Sequence, residues 1–149
     1  MRRYGLRPTV SLLLVIGCSN ETEVRPRSSQ ELSIFHHDRA ALAASFLGGD
    51  STALQRLLHE SVIVQPPAPD SARQGQPAIA YLLELAENTA VQESSLEPSI
   101  VVPEGPFLFE QGTWFIRAGH RLLRSNYSLR WRDTPHGLRV VLWSWSRFR

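Results

Sequence analysis

Apolar side chains recur every three or four residues in the first part of the chain, which is the spacing of a buried helix face. The recurrence predicts a first helix over about residues 29–47, ended by Gly48-Gly49. Asp50 is placed to cap a short second helix, and Pro77 opens a third. The positions predicted to face inward are Leu32, Phe35, Leu42, Phe46, Leu54, Leu57, Leu58, Ile79, Leu82, Leu83 and Ala86.

From about residue 91 apolar and polar positions alternate, which is the periodicity of a strand. The segments predicted as strands are 92–102, 107–118, 122–132 and 138–147, after a brief earlier strand at 62–64. Pro98 places the first of the late strands at an edge or a bulge, because proline cannot donate a ladder hydrogen bond. The last three are expected to form an antiparallel meander. Helices followed by a sheet indicate the α+β class, with the helices covering one face of a curved sheet.

The beginning of the chain has the order of an export signal, basic and then apolar and then small. Three arginines precede an apolar run at residues 10–16, which is followed by Gly17 and Cys18. The run is far shorter than the roughly 20 residues that span a bilayer, so a transmembrane anchor is not predicted. Two alternatives stay open, a lipoprotein signal and an ordinary secretory signal with a stray cysteine. Twin-arginine export through Arg2-Arg3 is a further variant, although the surrounding residues fit it poorly.

The motif Val15-Ile16-Gly17-Cys18 resembles a lipobox, the recognition sequence of bacterial lipoproteins. The resemblance implies that residues 1–17 are a signal peptide and that Cys18 is the lipid attachment site. Residues 18–28 are then a polar tether, and residues 29–149 are one domain. The predicted location is outside the cytoplasm on a membrane, and Ser19 after the cysteine favours the outer membrane or cell surface. Cys18 is the only cysteine, so the domain has no internal disulfide.

Removing residues 1–17 changes the charge of the protein. The full chain has 16 basic and 14 acidic residues, but three of the arginines lie in the predicted signal, which leaves a near-neutral mature chain. Near-neutrality removes the simplest argument for a nucleic-acid partner. The charges are also polarised, because residues 111–149 contain eight arginines and a single acid, Asp133.

Four groups of residues along the domain form a recognisable series: Gly49-Asp50, Gly75 with Ala78-Ile79, Tyr127 with Trp131-Arg132, and the last strand from Gly137 to Ser146. In their order and spacing the domain resembles the nuclear-transport-factor-2-like (NTF2-like) superfamily, which includes SnoaL-like and ketosteroid-isomerase-like proteins. The resemblance implies a cone-shaped α+β fold, in which three N-terminal helices pack on a strongly bent, mainly antiparallel sheet. It also implies a pocket for a small, often apolar molecule and pairing of two copies through the outer sheet face.

Two departures prevent catalytic roles from being carried over from that superfamily. The stretch where members have a general-base aspartate reads His59-Glu60-Ser61-Val62, and the last strand has Leu142-Trp143-Ser144 where polar side chains are usual. No metal or other cofactor is predicted, because the five histidines have no chelating spacing.

Glu110 is the leading catalytic candidate, because the alternation in its strand places it on the same side as Leu108 and Trp114. A desolvated carboxylate there has a raised pKa and suits general acid or base chemistry. The alternative is a glutamate in water or paired with an arginine. The other residues expected to line a pocket are His36, His37, Trp114, Tyr127, Trp131 and Ser144.

Two hypotheses of function follow. In the first, the protein is a membrane-anchored binding protein for a small apolar ligand or a protein partner, including a second copy bound through the sheet face. In the second, it is an isomerase- or cyclase-type enzyme that uses Glu110 with a histidine. The arginines that alternate along 122–132 form either a solvated face or a surface for an anionic partner.

Overall fold

A computed structural model describes residues 29–47, 50–88 and 90–149 of the 149-residue chain. The predicted signal peptide, Cys18, the tether at 18–28 and Gly48-Gly49 lie outside the described residues. The side chains of residues 29–32 are also left aside.

Three helices precede most of the sheet, as the sequence predicts: α1 (Ser29–Ala44), α2 (Ser51–Leu57) and α3 (Gln76–Asn88). The first helix ends earlier than predicted, because residues 45–47 tighten into a turn in which Leu47 N donates to Ala44 O at 2.8 Å. Asp50 caps α2 as expected, since its side chain accepts a hydrogen bond from Ala53 N at 3.0 Å. Leu58 is buried as predicted but begins a strand instead of ending the helix.

Six strands form one strongly curved, open sheet. The strands are β1 (Leu58–Gln65), β2 (Arg73–Gln74), β3 (Val91–Glu104), β4 (Phe107–Ala118), β5 (Arg121–Thr134) and β6 (Gly137–Trp145). Their order is β2-β1-β6-β5-β4-β3, with β1 parallel to β6 and every other pair antiparallel. The predicted meander is confirmed. The first strand is longer than predicted, and the two-residue β2 was not predicted.

The edge strand β3 bends at Pro98, where the sequence placed an edge or a bulge. Its register against β4 shifts between Pro98 and Ile100. Gly112 faces Pro98 across the pair, and a Cβ at Gly112 would lie 2.0 Å from Glu97 O. The two backbones therefore approach each other as closely as only glycine allows.

The helices cover the inner face of this sheet, and the core between them is aromatic. Trp114 lies at its centre, with ring centroids 5.0 Å from Phe46, 5.1 Å from Trp143 and 5.2 Å from Phe148. Phe35 of α1 packs edge-on against Trp131 at 5.6 Å. These rings, except that of Phe148, are buried and fill the part of the interior that they line.

Candidate functional site

Glu110 is the one carboxylate in the described core, and its side chain has no exposed surface. It lies on the inner side of β4, as the alternation of that strand predicts. On the neighbouring strand β5, Tyr127 donates a short hydrogen bond from its hydroxyl to Oε1 of Glu110. Neither group reaches bulk water.

Arg39 reaches the same carboxylate from the helix side. Its Nη1 lies 3.7 Å from Oε2 of Glu110, and its side chain is 12% exposed. Its guanidinium also sits over the ring of Phe35, 5.3 Å from the centroid, and its Nη2 lies 2.7 Å from Nδ1 of His36. A charged guanidinium donates, so Nδ1 of His36 accepts and is unprotonated in this arrangement. A line of polar contacts thus runs from exposed His36 through Arg39 and Glu110 to buried Tyr127.

The electrostatics of the cluster follow from burial. Desolvation raises the pKa of Glu110, and the hydrogen bond from Tyr127 and the charge of Arg39 only partly oppose that rise. The indole N–H of Trp131 lowers the pKa weakly, since it lies near the carboxyl without completing a hydrogen bond of ordinary geometry. Burial, followed by the bond to Glu110, raises the pKa of Tyr127. The hydroxyl of Tyr127 therefore keeps its proton and donates it in the hydrogen bond to Glu110. The carboxyl of Glu110 binds a proton more readily than a glutamate in water does.

Three polar atoms of the cluster lack a hydrogen-bond partner: Nη1 of Arg39, Oε2 of Glu110 and Nε1 of Trp131. Two are donors, and the third is an acceptor when ionised. Chemically, the arrangement can transfer a proton at Oε2 or bind one small polar group. Because Glu110 itself has no exposed surface, such a group would have to displace side chains that now cover it.

The structure brings some of the sequence candidates together and separates others. Tyr127 and Trp131 lie at Glu110, and Trp114 lies deeper in the core, where its Nε1 donates to Ser94 Oγ at 3.1 Å. His36 and His37 are exposed, so neither faces the interior. Their helix instead buries Phe35, which precedes the pair, and Leu42, which follows it.

Ser144 also lies outside the interior, contrary to expectation. It alternates with the buried Trp143 and Trp145 along β6 and so points to the outer face of the sheet, where it lines an open groove. Arg39 was not among the residues that the sequence predicted for the site. The available signal was helical spacing, because Arg39 follows Phe35 by four residues and precedes Leu42 by three, which places it on the inward face.

The outer face of the sheet carries two adjoining depressions. The first has a volume of about 580 Å³ and is lined mainly by hydroxyl and amide side chains: Ser99, Gln111, Thr113, Asn126, Ser128, Ser144 and Ser146. The second has a volume of about 340 Å³ and shares Thr113, Asn126 and Ser146 with the first. Its other polar side chains include Arg124, Arg147 and Arg149. Glu110 lines neither depression.

Known structures with the same arrangement of helices and curved sheet identify this architecture. An NTF2-like protein of unknown function from Silicibacter pomeroyi is similar with a TM-score of 0.65 and 14% identity, over 83% of this chain and 100% of that one. This chain has the NTF2-like fold. A second similar structure is an NTF2-like protein with a cystatin-like fold from Novosphingobium aromaticivorans. It has a TM-score of 0.64 and 20% identity, over 78% of this chain and 81% of that one.

A further structure with the NTF2-like fold, a protein of unknown function from Shewanella baltica, has a TM-score of 0.65 and 12% identity. The match covers 84% of this chain and 98% of that one. No protein-family model matches the chain, and neither does any curated protein. At these identities the likeness establishes the fold and leaves the activity to the residues themselves.

The described residues hold neither a candidate metal site nor a candidate membrane-spanning helix. No group of three or more histidine, cysteine, aspartate or glutamate side chains there could hold a metal ion. No helix among the same residues is long and apolar enough to cross a membrane.

Proposed function

We propose that this protein is an accessory binding protein, held at a membrane by lipid on Cys18, whose domain contacts a partner through the outer face of the sheet. One observation carries the proposal. The inner face, where proteins with an open cone would receive a ligand, is occupied by packed aromatic rings and by a carboxylate that Tyr127 and Arg39 already contact.

The outer face has the features of a binding surface. Its groove is open, roomy and lined by side chains that both donate and accept hydrogen bonds, such as Gln111, Ser128 and Asn126. A second copy of the chain is one partner that such a face can take. A small apolar ligand fits the polar outer groove less well. Inside the cone, the same ligand would have to separate aromatic rings that are in contact.

Site-specific photocrosslinking in cells tests which face is used. A photoreactive amino acid at Gln111, exposed in the outer groove, is expected to form adducts with a partner or a second copy. The matched control position is Glu87, which is also exposed but lies on α3. Equal adduct yields at the two positions, or none at Gln111, would contradict an outer binding face.

The second candidate function is acid–base catalysis of the isomerase or cyclase type by Glu110. The observation in its favour is the raised pKa of a carboxyl that Tyr127 contacts directly. The histidine first expected beside it is instead exposed His36, which contacts Arg39 and not the carboxyl. Turnover of a carbonyl substrate by the purified protein, lost in Glu110→Gln, would favour this candidate over the binding protein.

A further inference from the structure

We propose that the outer face holds a binding site for a phosphate ester, formed by Arg124, Arg147 and Arg149. All three line the depression of about 340 Å³ near the start of β5, where the chain that follows β6 pairs with it. The inference deepens the proposed function and rests on it, because the site lies on the same outer face and names the chemistry that this face would recognise.

The backbone places two of the arginines side by side. After β6 the chain continues along β5, with Ser146 N donating to Asn126 O at 2.8 Å. Arg124 and Arg149 then exchange both hydrogen bonds, with N to O distances of 3.1 and 3.0 Å. Residues that exchange both bonds are directly opposite each other in an antiparallel pair, so their side chains leave the same face.

Arg147 is fixed by a different contact. Its Nη2 donates to Ala68 O at 2.8 Å, which ties the end of the chain to the loop after β1. Its remaining guanidinium N–H groups are left for the depression that it lines. The site therefore draws on β5, on the chain after β6 and on the loop that holds Arg147.

No aspartate or glutamate side chain in the described part of the chain pairs with this group. The three ion pairs there are Arg39–Glu110, Arg117–Glu93 and Arg130–Glu104, and no aspartate or glutamate lines the depression. Like charges directly opposite each other across a strand pair are destabilising. An anion between them would remove that repulsion, which is the physical reason to expect one.

The donors present favour phosphate over a simple carboxylate. Guanidinium forks bind phosphate oxygens in pairs, and Thr113, Asn126 and Ser146 add neutral donors at the rim shared with the larger groove. A tetrahedral anion has enough oxygens to use donors from several directions. The adjoining hydroxyl- and amide-lined groove gives space for a polar organic part, so the ligand class is an ester such as a glycerol or sugar phosphate.

The test uses the full-length chain purified in detergent and titrated with glycerol phosphate in a calorimeter, with glycerol as the uncharged comparison. Binding of glycerol phosphate but not glycerol is expected. Arg124→Gln should weaken it about tenfold, and Arg124→Gln with Arg149→Gln should weaken it further, because each guanidinium supplies charged hydrogen bonds. The matched control is Arg132→Gln, on the same face of β5 but outside the depression, and it should leave the affinity unchanged.

Competition by short-chain phosphatidylglycerol, against phosphatidylcholine of equal chain length, identifies the source of the phosphate. Displacement of glycerol phosphate by the first lipid alone assigns the site to a membrane headgroup, and displacement by neither assigns it to a soluble ester. Absent glycerol phosphate binding, or an equal loss with Arg132→Gln, would overturn the site. If glycerol phosphate does not bind but crosslinks at Gln111 still form, the outer binding face stands and only the phosphate site is refuted. If glycerol phosphate binds but no crosslinks form at Gln111, only the partner-binding face is refuted.

Discussion

A buried carboxylate is stable in a protein only to the extent that its neighbours replace the water it has lost. At Glu110 those neighbours are a neutral hydroxyl, a guanidinium at 3.7 Å and an indole N–H that is not in bonding geometry. They compensate incompletely, and the pKa of Glu110 is raised. The folded protein therefore retains a proton at a pH where the unfolded chain has released it.

The sign of the resulting pH dependence is fixed by linkage. A group whose pKa is raised by folding contributes stability that is present below its ordinary pKa and is lost as the pH rises through the raised value. We therefore predict that the free energy of unfolding of the wild type decreases from acidic towards neutral pH, in part because Glu110 loses its proton. Glu110→Gln has no proton to lose at this position, so its free energy of unfolding should decrease less over the same range. Urea unfolding of both proteins across that range measures the difference in slope.

Arg39 supplies a control for this prediction. Its charge lowers the pKa of Glu110, so Arg39→Met should raise that pKa further and carry the loss of stability to higher pH. Glutamine at position 110 keeps an oxygen that can accept from Tyr127, so the hydrogen bond is preserved while the charge is removed. Parallel pH profiles for the wild type and Glu110→Gln would contradict the raised pKa.

The sequence predicted three members of this cluster, Glu110, Tyr127 and Trp131, and not the fourth, Arg39. Strand alternation is strict, and it correctly placed Glu110 and Tyr127 on the buried side of their strands. Arg39 was not predicted, because an arginine on a helix is usually solvated. Its contact with Glu110 becomes evident only when the helix is seen packed on the sheet. The exposure of His36 and His37 likewise depends on the rotation of α1 about its axis relative to the sheet. Two adjacent histidines in the sequence do not determine that rotation.

At the scale of elements, the sheet is determined more completely by its sequence than the helix ends are. The boundaries of β4 were predicted to the residue, because both its flanking turns and its alternation are clear. The end of α1 and the short β2 were not predicted, since a tightened last turn and a two-residue strand leave almost no periodic signal. The irregularity of β3 was predicted through Pro98 alone, as an edge or a bulge, and the close approach of Gly112 opposite it was not predicted.

Gly112 yields a prediction about the bend of β3. Its Cβ would meet Glu97 O at 2.0 Å and Pro98 Cα at 2.7 Å, and both are backbone atoms that cannot rotate away. We predict that Gly112→Ala lowers the free energy of unfolding by about 3 kcal/mol, at the upper end of overpacking effects. Chemical denaturation measures the loss.

Gly119→Ala is the matched control for the bend. Gly119 lies in the turn between β4 and β5 at a φ of +61°, with nothing within 4 Å of an added Cβ. Its substitution should cost about 1 kcal/mol, because only backbone preference is lost. A smaller loss at Gly112 than at Gly119 would show that β3 and β4 can separate without penalty.

At the scale of the whole molecule, some arginines of the arginine-rich second half of the chain form ion pairs with glutamates, and others do not. Glu93 and Glu104 of β3 pair with Arg117 and Arg130, at 3.0 and 2.8 Å. Exposed pairs of this kind contribute little to stability but neutralise that side of the outer face. Of the arginines outside these pairs, Arg124, Arg147 and Arg149 lie together near the start of β5.

Attachment to a membrane is the prediction that belongs to the complete chain. Two acyl chains on Cys18 would hold the protein stably, since each buried methylene contributes about 0.8 kcal/mol, whereas no helix of the described part can span a bilayer. Wild-type protein expressed in a bacterial host should therefore incorporate a clickable palmitate analogue and sediment with membranes. Cys18→Ser should lose both properties, because the chain has no other thiol to receive the lipid.

Ser19→Ala is the matched control, since it changes the adjacent residue and leaves the thiol in place. It should label like the wild type. Label that persists in Cys18→Ser would refute the lipobox interpretation, and the arginine-lined depression would then need a soluble phosphate ester as its ligand. If Cys18→Ser loses the palmitate label but is still exported across the inner membrane, the export signal and the lipid anchor are separate features. The export signal depends on residues 1–17, whereas the anchor depends only on the Cys18 sulfur atom.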